Sequence, residues 1–170
     1  MNRKKIKNYI DALLDRHNIA RFPIDLNKLA KIANAEIKLD NLDDDLSGFA
    51  YQKNGFKIIG VNKQHPRQRR RFTIAHELGH MFLHKQDTVN YDEASILLRL
   101  GHVSDNVDKK EIEANIFAAE LLMPEEKIRS DVNRMGGVSL EDKSAIAELA
   151  NRYKVSSQAM TIRLTTLYFS

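Results

Sequence analysis

The segment Arg71-Phe72-Thr73-Ile74-Ala75-His76-Glu77-Leu78-Gly79-His80-Met81-Phe82-Leu83-His84 carries two patterns at once. Phe72, Ile74, Leu78, Phe82 and Leu83 have the apolar spacing of a partly buried helix, which we predict from Pro66 to about Leu83. On that helix His76 and His80 are four residues apart and share a face, so their imidazoles can converge on one metal ion at about 2.0 to 2.1 Å. Glu77 is displaced from the ligand direction but within reach of a metal-held water, whose pKa falls toward about 7. It is the expected base for that water, and its acid form can later protonate a leaving amine. Gly79 inside a helix costs on the order of 1 kcal/mol relative to Ala, which points to close packing or to function. The plain alternative is an amphipathic helix with solvent-facing histidines.

A catalytic zinc takes three protein ligands and keeps an open position. His84 extends the series by four more residues, but about 12 Å of helix rise separates its Cα from that of His76, so three imidazoles cannot converge and His84 is given a supporting role. The longer H-E-x-x-H-x-x-G-x-x-H pattern fails as well, since Leu83 and Gln86 stand at its Gly and third His. A second helix, predicted over residues 108–123 and ended by Pro124, offers Glu111, Glu113 and Glu120. Glu113 points between Ile116 and Phe117, where a carboxylate needs a partner and a metal is a suitable one. Glu120 shares that face and periodicity does not exclude it. Glu111 points toward Asn115, near a helix start where acids are favoured in any case.

Upstream, Ile6, Ile10, Leu13 and Leu14 recur at helical spacing, and Asp25 opens a second helix through Leu26, Leu29, Ala30 and Ala33. Residues 35–39 and 46–52 read as strands on either side of the acidic turn Asp43-Asp44-Asp45. Asn54-Gly55 then joins the second run to residues 56–61, the strongest short hairpin signal. A small antiparallel sheet is therefore expected before residue 63. Its 56–61 strand should lie beside the motif helix and offer an open edge to an extended peptide. Residues 86–107 are polar with scattered apolar positions, compatible with a short helix around 93–100. Downstream, Gly136-Gly137 reads as a linker, followed by helices over 140–153 and 156–168. The expected division is a domain over residues 1–135 and a helical, helix-turn-helix-like subdomain over 136–170.

Composition sets the limits. At 170 residues the chain is about one domain with a small appendage, and with Cys at 0 it excludes disulfide scaffolds, thiol catalysis, iron–sulfur clusters and Cys-ligated zinc fingers. Any metal site must be built from His and carboxylates. The mix of 42% hydrophobic and 29% charged residues is that of a soluble globular protein. No apolar run approaches the roughly 20 residues of a membrane span, so no membrane partner is expected. The basic start at Met1 to Ile6 is followed by Lys7, Asn8, Asp11 and Asp15 where a signal peptide would be apolar, and a cytoplasmic location is expected. A net charge of +4 permits a nucleic-acid partner without requiring one.

The blocks Arg71 to His80, Leu83-His84, Glu113-Ala114-Asn115 and Phe117-Ala118-Ala119-Glu120-Leu121-Leu122-Met123-Pro124 resemble the ImmA/IrrE family of zinc metallopeptidases, over roughly residues 5–130. The resemblance implies an α+β, zincin-like core of the gluzincin type. It implies His76, His80 and Glu113 as ligands to one zinc ion per chain, and Glu77 as catalytic base. It further implies a regulatory endopeptidase whose substrate is a helix-turn-helix repressor.

Other readings remain beside it. Residues 146–164 have the texture of a helix-turn-helix with Ser156 capping its second helix, which makes a DNA-binding module the main alternative. That helix offers only Gln158, Thr161 and Arg163 to read bases, and residues 164–169 are mostly apolar, so packing or protein docking is preferred. Arg67, Arg69, Arg70 and Arg71 form either a solvated face or a docking surface for an acidic partner. A zinc amide hydrolase acting on a small substrate would use the same ligands. Tyr51, Tyr91 and His102 are the available oxyanion donors, and His17 and His65 are read as surface or core residues.

Overall fold

A computed structural model describes residues 1–20, 22–43, 46–53, 55–84 and 105–168. The expected helix over 93–100, Tyr91 and His102 lie outside the described residues. In chain order the elements are α1 (Arg3–Arg16), α2 (Leu26–Ile32), β1 (Ala35–Asp40), β2 (Gly48–Lys53), β3 (Phe56–Asn62), α3 (Arg67–Leu83), α4 (Asp105–Leu122), α5 (Glu125–Arg134), α6 (Lys143–Tyr153) and α7 (Ser157–Tyr168). Among the described residues no helix is long and apolar enough to cross a membrane.

The helices begin where local chemistry says they should. Asn2 accepts from the Lys5 amide, and Asp25 from those of Asn27 and Lys28, so each satisfies otherwise orphaned N–H groups. The α1 spacing buries Ile6, Ile10 and Leu13. One helix was not foreseen. Pro124, read from sequence as a terminator, ends α4 and also starts α5. Its fixed φ suits a helix entry, Glu125 and Glu126 in the first turn and Arg134 in the last complement the helix dipole, and Ile128 and Val132 are buried.

The sheet corrects two expectations. Its strand order is β1-β3-β2, with β1 parallel to β3 (Ala35 beside Lys57) and β2 antiparallel to it (Lys53 opposite Phe56), so the sheet is mixed and not antiparallel. The β2–β3 hairpin forms as expected, with Gly55 at φ +83°. The 56–61 strand is not an edge, because β3 is paired on both sides; its Ile59 and Val61 are fully buried, and the strand with most to bury takes the centre. Asn62 then locks the β1–β2 connection by donating to the carbonyls of Leu42, Asp43 and Leu46 at 3.1 to 3.2 Å. The free edges belong to β1 and β2, and β2 packs with β3 against α3.

A continuous apolar core runs from α1 and α2 through Leu78 of α3 and Phe117, Leu121 and Leu122 of α4 to Leu149, Tyr153, Met160 and Leu164 of α6 and α7. The turn between α6 and α7 places Lys154 at φ +55°, and Ser156 Oγ accepts from the Ala159 amide, as a cap should. Arg163 of α7 is only 4% exposed and clamps Glu120 of α4, also 4% exposed, with two bonds of 2.9 and 2.6 Å, while its Nε donates to the Met123 carbonyl. Arg3 adds a third bond to Glu120 at 2.6 Å. Glu120 is thereby committed to α1 and α7.

Burial pushes the Glu120 carboxyl up, but its bonds to Arg163 and Arg3 outweigh this and hold it below its ordinary value of 4.5. The stabilisation it gives is thus complete above pH about 4.5 and is lost as pH falls toward the folded-state value. Glu120→Gln should cost about 3 to 5 kcal/mol at pH 7, because it leaves Arg163 buried and unpaired. Urea unfolding should also show a weaker loss of stability between pH 4.5 and 3 than in the parent. An unchanged midpoint at pH 7 would contradict this role.

Candidate metal centre

Gly79 decides how closely α3 and α4 approach. A Cβ there would lie 3.1 Å from the Ala114 Cα, 3.2 Å from its carbonyl oxygen and 3.2 Å from the Phe117 Cβ, so the glycine is required by close approach of the helices. His76 and His80 stand three residues before and one after Gly79. Glu111 and Asn115 stand three before and one after Ala114. The contact therefore sets these four side chains against one another.

The result is a compact ligand cluster. His80 Nε2 is 3.0 Å from His76 Nε2, and the Glu111 carboxylate spans the pair, with Oε2 3.1 Å from His76 Nε2 and Oε1 2.9 Å from His80 Nε2. Among the described residues this is the one group of three His or carboxylate donors close enough to share an ion. A tetrahedral zinc with bonds of about 2.0 to 2.1 Å holds its ligand atoms about 3.3 Å apart, so the observed spacing needs only a slight expansion. Lone pairs brought this close repel unless a cation or proton lies between them. All three residues keep partial solvent access, which leaves a side from which a further ligand could approach.

The electrostatics point the same way. Burial pushes the Glu111 carboxyl up, yet the hydrogen bonds from His76 and His80 and the charge of both rings hold it far below the usual carboxylate range. Burial also disfavours charge on His76, but the bond to Glu111 and the nearby Glu77 carboxylate raise its pKa above the ordinary value. This cluster is built to hold positive charge.

Asn115 Oδ1 lies 3.0 Å from His76 Nδ1. An acceptor there holds the proton on Nδ1 and leaves the Nε2 lone pair facing Glu111 and His80, the arrangement that orients metal-ligating histidines. His84 follows His80 with ring centroids 5.6 Å apart, and its Nε2 is 3.3 Å from the carbonyl of Lys110, the residue before Glu111. It steadies the backbone that presents Glu111. Glu77 is 7% exposed on α3, adjacent to His76.

The sequence expectation for the third ligand does not match this geometry. Glu113 is not brought to the histidine pair; it pairs with the amino group of Met1, its other oxygen is 3.8 Å from His84 Nδ1, and it is 7% exposed. Glu113 is buried as inferred, but it faces Met1 and His84 and not the His76–His80 pair. Glu111, set aside as an ordinary helix-start acid, stands one turn before Asn115 on the face that meets α3. Periodicity could separate these faces but could not say which one α3 would occupy. Tyr51 lies on β2. Arg71 donates to the Ile24 carbonyl at 2.7 Å, and Arg69 to Ser47 Oγ at 2.9 Å.

The model of the IrrE N-terminal-like domain, Peptidase M78, matches residues 30–165, and the chain belongs to that family. It is 34% identical over 98 residues to the uncharacterized immunity region protein 2 of Bacillus phage phi105, covering 58% of each chain. It is 34% identical over 110 residues to the radiation response metalloprotease IrrE of Deinococcus radiodurans, covering 64% of this chain and 30% of that one. With the metallopeptidase ImmA of Bacillus subtilis it shares 33% identity over 102 residues, 58% of this chain and 53% of the relative. It thus spans between about a third and three fifths of the length of these relatives. A Mycobacterium tuberculosis transcriptional regulator has the same fold over 97% of this chain and 47% of its own, with a TM-score of 0.64 at 19% identity.

If Glu111 is the third ligand, Glu111→Ala should weaken zinc binding by at least a hundredfold, whereas Glu113→Gln should retain it within about threefold. Asn115→Ala should fall between them, near the 10- to 100-fold typical of a lost orienting partner. Competition titration against a chromophoric chelator measures all three. Equal losses for Glu111 and Glu113 variants would overturn the assignment.

Proposed function

We propose that this chain is a zinc-dependent, zincin-like endopeptidase with His76, His80 and Glu111 as ligands to one ion and Glu77 as the general base. The observation that carries the reading is the convergence of the two imidazoles and one carboxylate beside Glu77. When bound, zinc supplies Lewis acidity, which acidifies water and polarises a carbonyl. Glu77 accepts a proton as the water oxygen bonds to the peptide carbonyl carbon. It returns that proton to the amide nitrogen as the C–N bond breaks, giving a carboxylic acid and an amine. Asn115 keeps His76 in the ligating tautomer throughout.

The free edge of β2, beside α3, supports an extended polypeptide as substrate, since strand addition aligns a backbone while asking little of its side chains. The relatives' names support a metallopeptidase, and the substrate class we infer for it is a helix-turn-helix repressor, cut at one or a few sites. Residues 136–170 would then serve in docking a protein, not in reading DNA, because Arg163 is buried against Glu120 and unavailable to a base edge.

Incubated with repressors encoded beside it, the zinc-loaded chain should yield two fragments summing to the substrate plus one water by intact mass. Glu77→Gln should bind zinc as the parent does and cleave at least a hundredfold more slowly. Full turnover by a zinc-loaded Glu77→Gln chain would contradict the mechanism, and broad digestion of casein without cleavage of any regulator would contradict the substrate class.

A further inference from the structure

Ile112 on α4 and Ile162 on α7 are 56% and 60% exposed, and both line one groove of about 930 Å³ between α3, α4 and α7. Its floor is apolar, with Phe72, Ile116, Met123 and Ala159. Its charged wall is cationic. Arg163 and Arg3 share the single carboxylate of Glu120, so the wall keeps a net positive charge, and Arg69 donates only to the neutral Ser47 hydroxyl. Among the described residues the Nη2 of Arg3 is buried without a hydrogen-bond partner, a costly state for a charged donor. Arg69 belongs to the run that opens α3, a first turn with no acidic residue and no side-chain cap, where the helix dipole disfavours cations.

Asn115 fixes where the groove lies. It lines the groove and also holds His76 Nδ1, so an occupant rests against the flank of the metal centre. The exposed isoleucines fix its size: a small molecule sunk in the floor would leave both rims wet, whereas a helix about 10 to 12 Å across covers them. A second copy of this chain would bring the same cationic wall and a net charge of +4 against it.

We propose that this groove docks an amphipathic helix of the substrate protein, its apolar face on Phe72, Ile116 and Ala159 and an acidic side chain on Arg69. The inference rests on the peptidase reading for the identity of the partner. It adds a binding site beside the cleavage site, through which selectivity is set without sequence demands at the scissile bond.

The absence of cysteine allows a clean test. Gln158, on the groove wall, is replaced by Cys in the full Glu77→Gln chain and labelled with an environment-sensitive fluorophore. The probe is a synthetic 16-residue helix with Leu at i, i+3, i+4 and i+7 and Glu along the flanks; its control carries Lys in place of Glu. The Glu peptide should give a saturable blue shift, with the Lys peptide at least tenfold weaker. Ile162→Asp should weaken the Glu peptide at least tenfold, and Arg69→Glu should move the preference toward the Lys peptide, both variants keeping the parent's circular dichroism. Equal binding of the two peptides, or no saturable response, overturns the proposal. So does decanoate saturating the site while the peptide does not, or a dimer in sedimentation that Ile162→Asp dissolves. Peptide binding is read without hydrolysis, so intact binding alongside an inactive zinc-loaded parent sinks the peptidase reading alone, and the reverse pattern sinks the groove alone.

Discussion

The contact of α3 with α4 at Gly79 and Ala114 is the constraint on which the site depends. Helix separation is set by the side chains at the crossing, and a glycine facing an alanine permits a very close one. His76 and His80 then straddle the crossing on one helix as Glu111 and Asn115 do on the other. A fixed crossing thus brings together two imidazoles, a carboxylate that spans them and an amide beside one of them, all from these two helices. Ligands on rigid helices hold their geometry better than ligands on loops, at the cost of converging lone pairs that favour a cation.

The surrounding fold holds that crossing in place. The sheet packs behind α3 with β3, its most buried strand, at the centre. On the other side, Glu120 of α4 is gripped by Arg3 from the N-terminal helix and by Arg163 from the C-terminal one. Removing one member of such a buried network is far more damaging than its net contribution suggests, because the remaining charges stay buried. A zinc ion bound only by the folded chain would add stability through mass action, so folding and metal binding reinforce each other.

The two halves of the site were unequally legible in the sequence. His76, Glu77 and His80 follow from i,i+4 geometry within one helix, and Gly79 announced a close approach before any partner was known. Which carboxylate joins the histidine pair depends on which face of α4 meets α3, a tertiary fact that helical periodicity does not contain. Glu113 was rightly read as buried, but its partner is the amino group of Met1, far off in sequence. The sheet shows the same division: the β2–β3 hairpin is local and was read from the sequence, whereas the parallel pairing of β1 with β3 depends on the packing of α2 against the sheet and α3. Pro124 shows an ambiguity of local signals, since a residue that stops one helix is equally suited to begin the next.

The most direct measurement of the central claim is an anomalous difference map from crystals of the zinc-loaded chain, collected above and below the zinc edge. The account predicts one peak per chain, bonded to His76 Nε2, His80 Nε2 and a Glu111 oxygen, with Asn115 still on His76 Nδ1. A peak bonded to Glu113, or zinc bound away from the α3–α4 crossing, would contradict it.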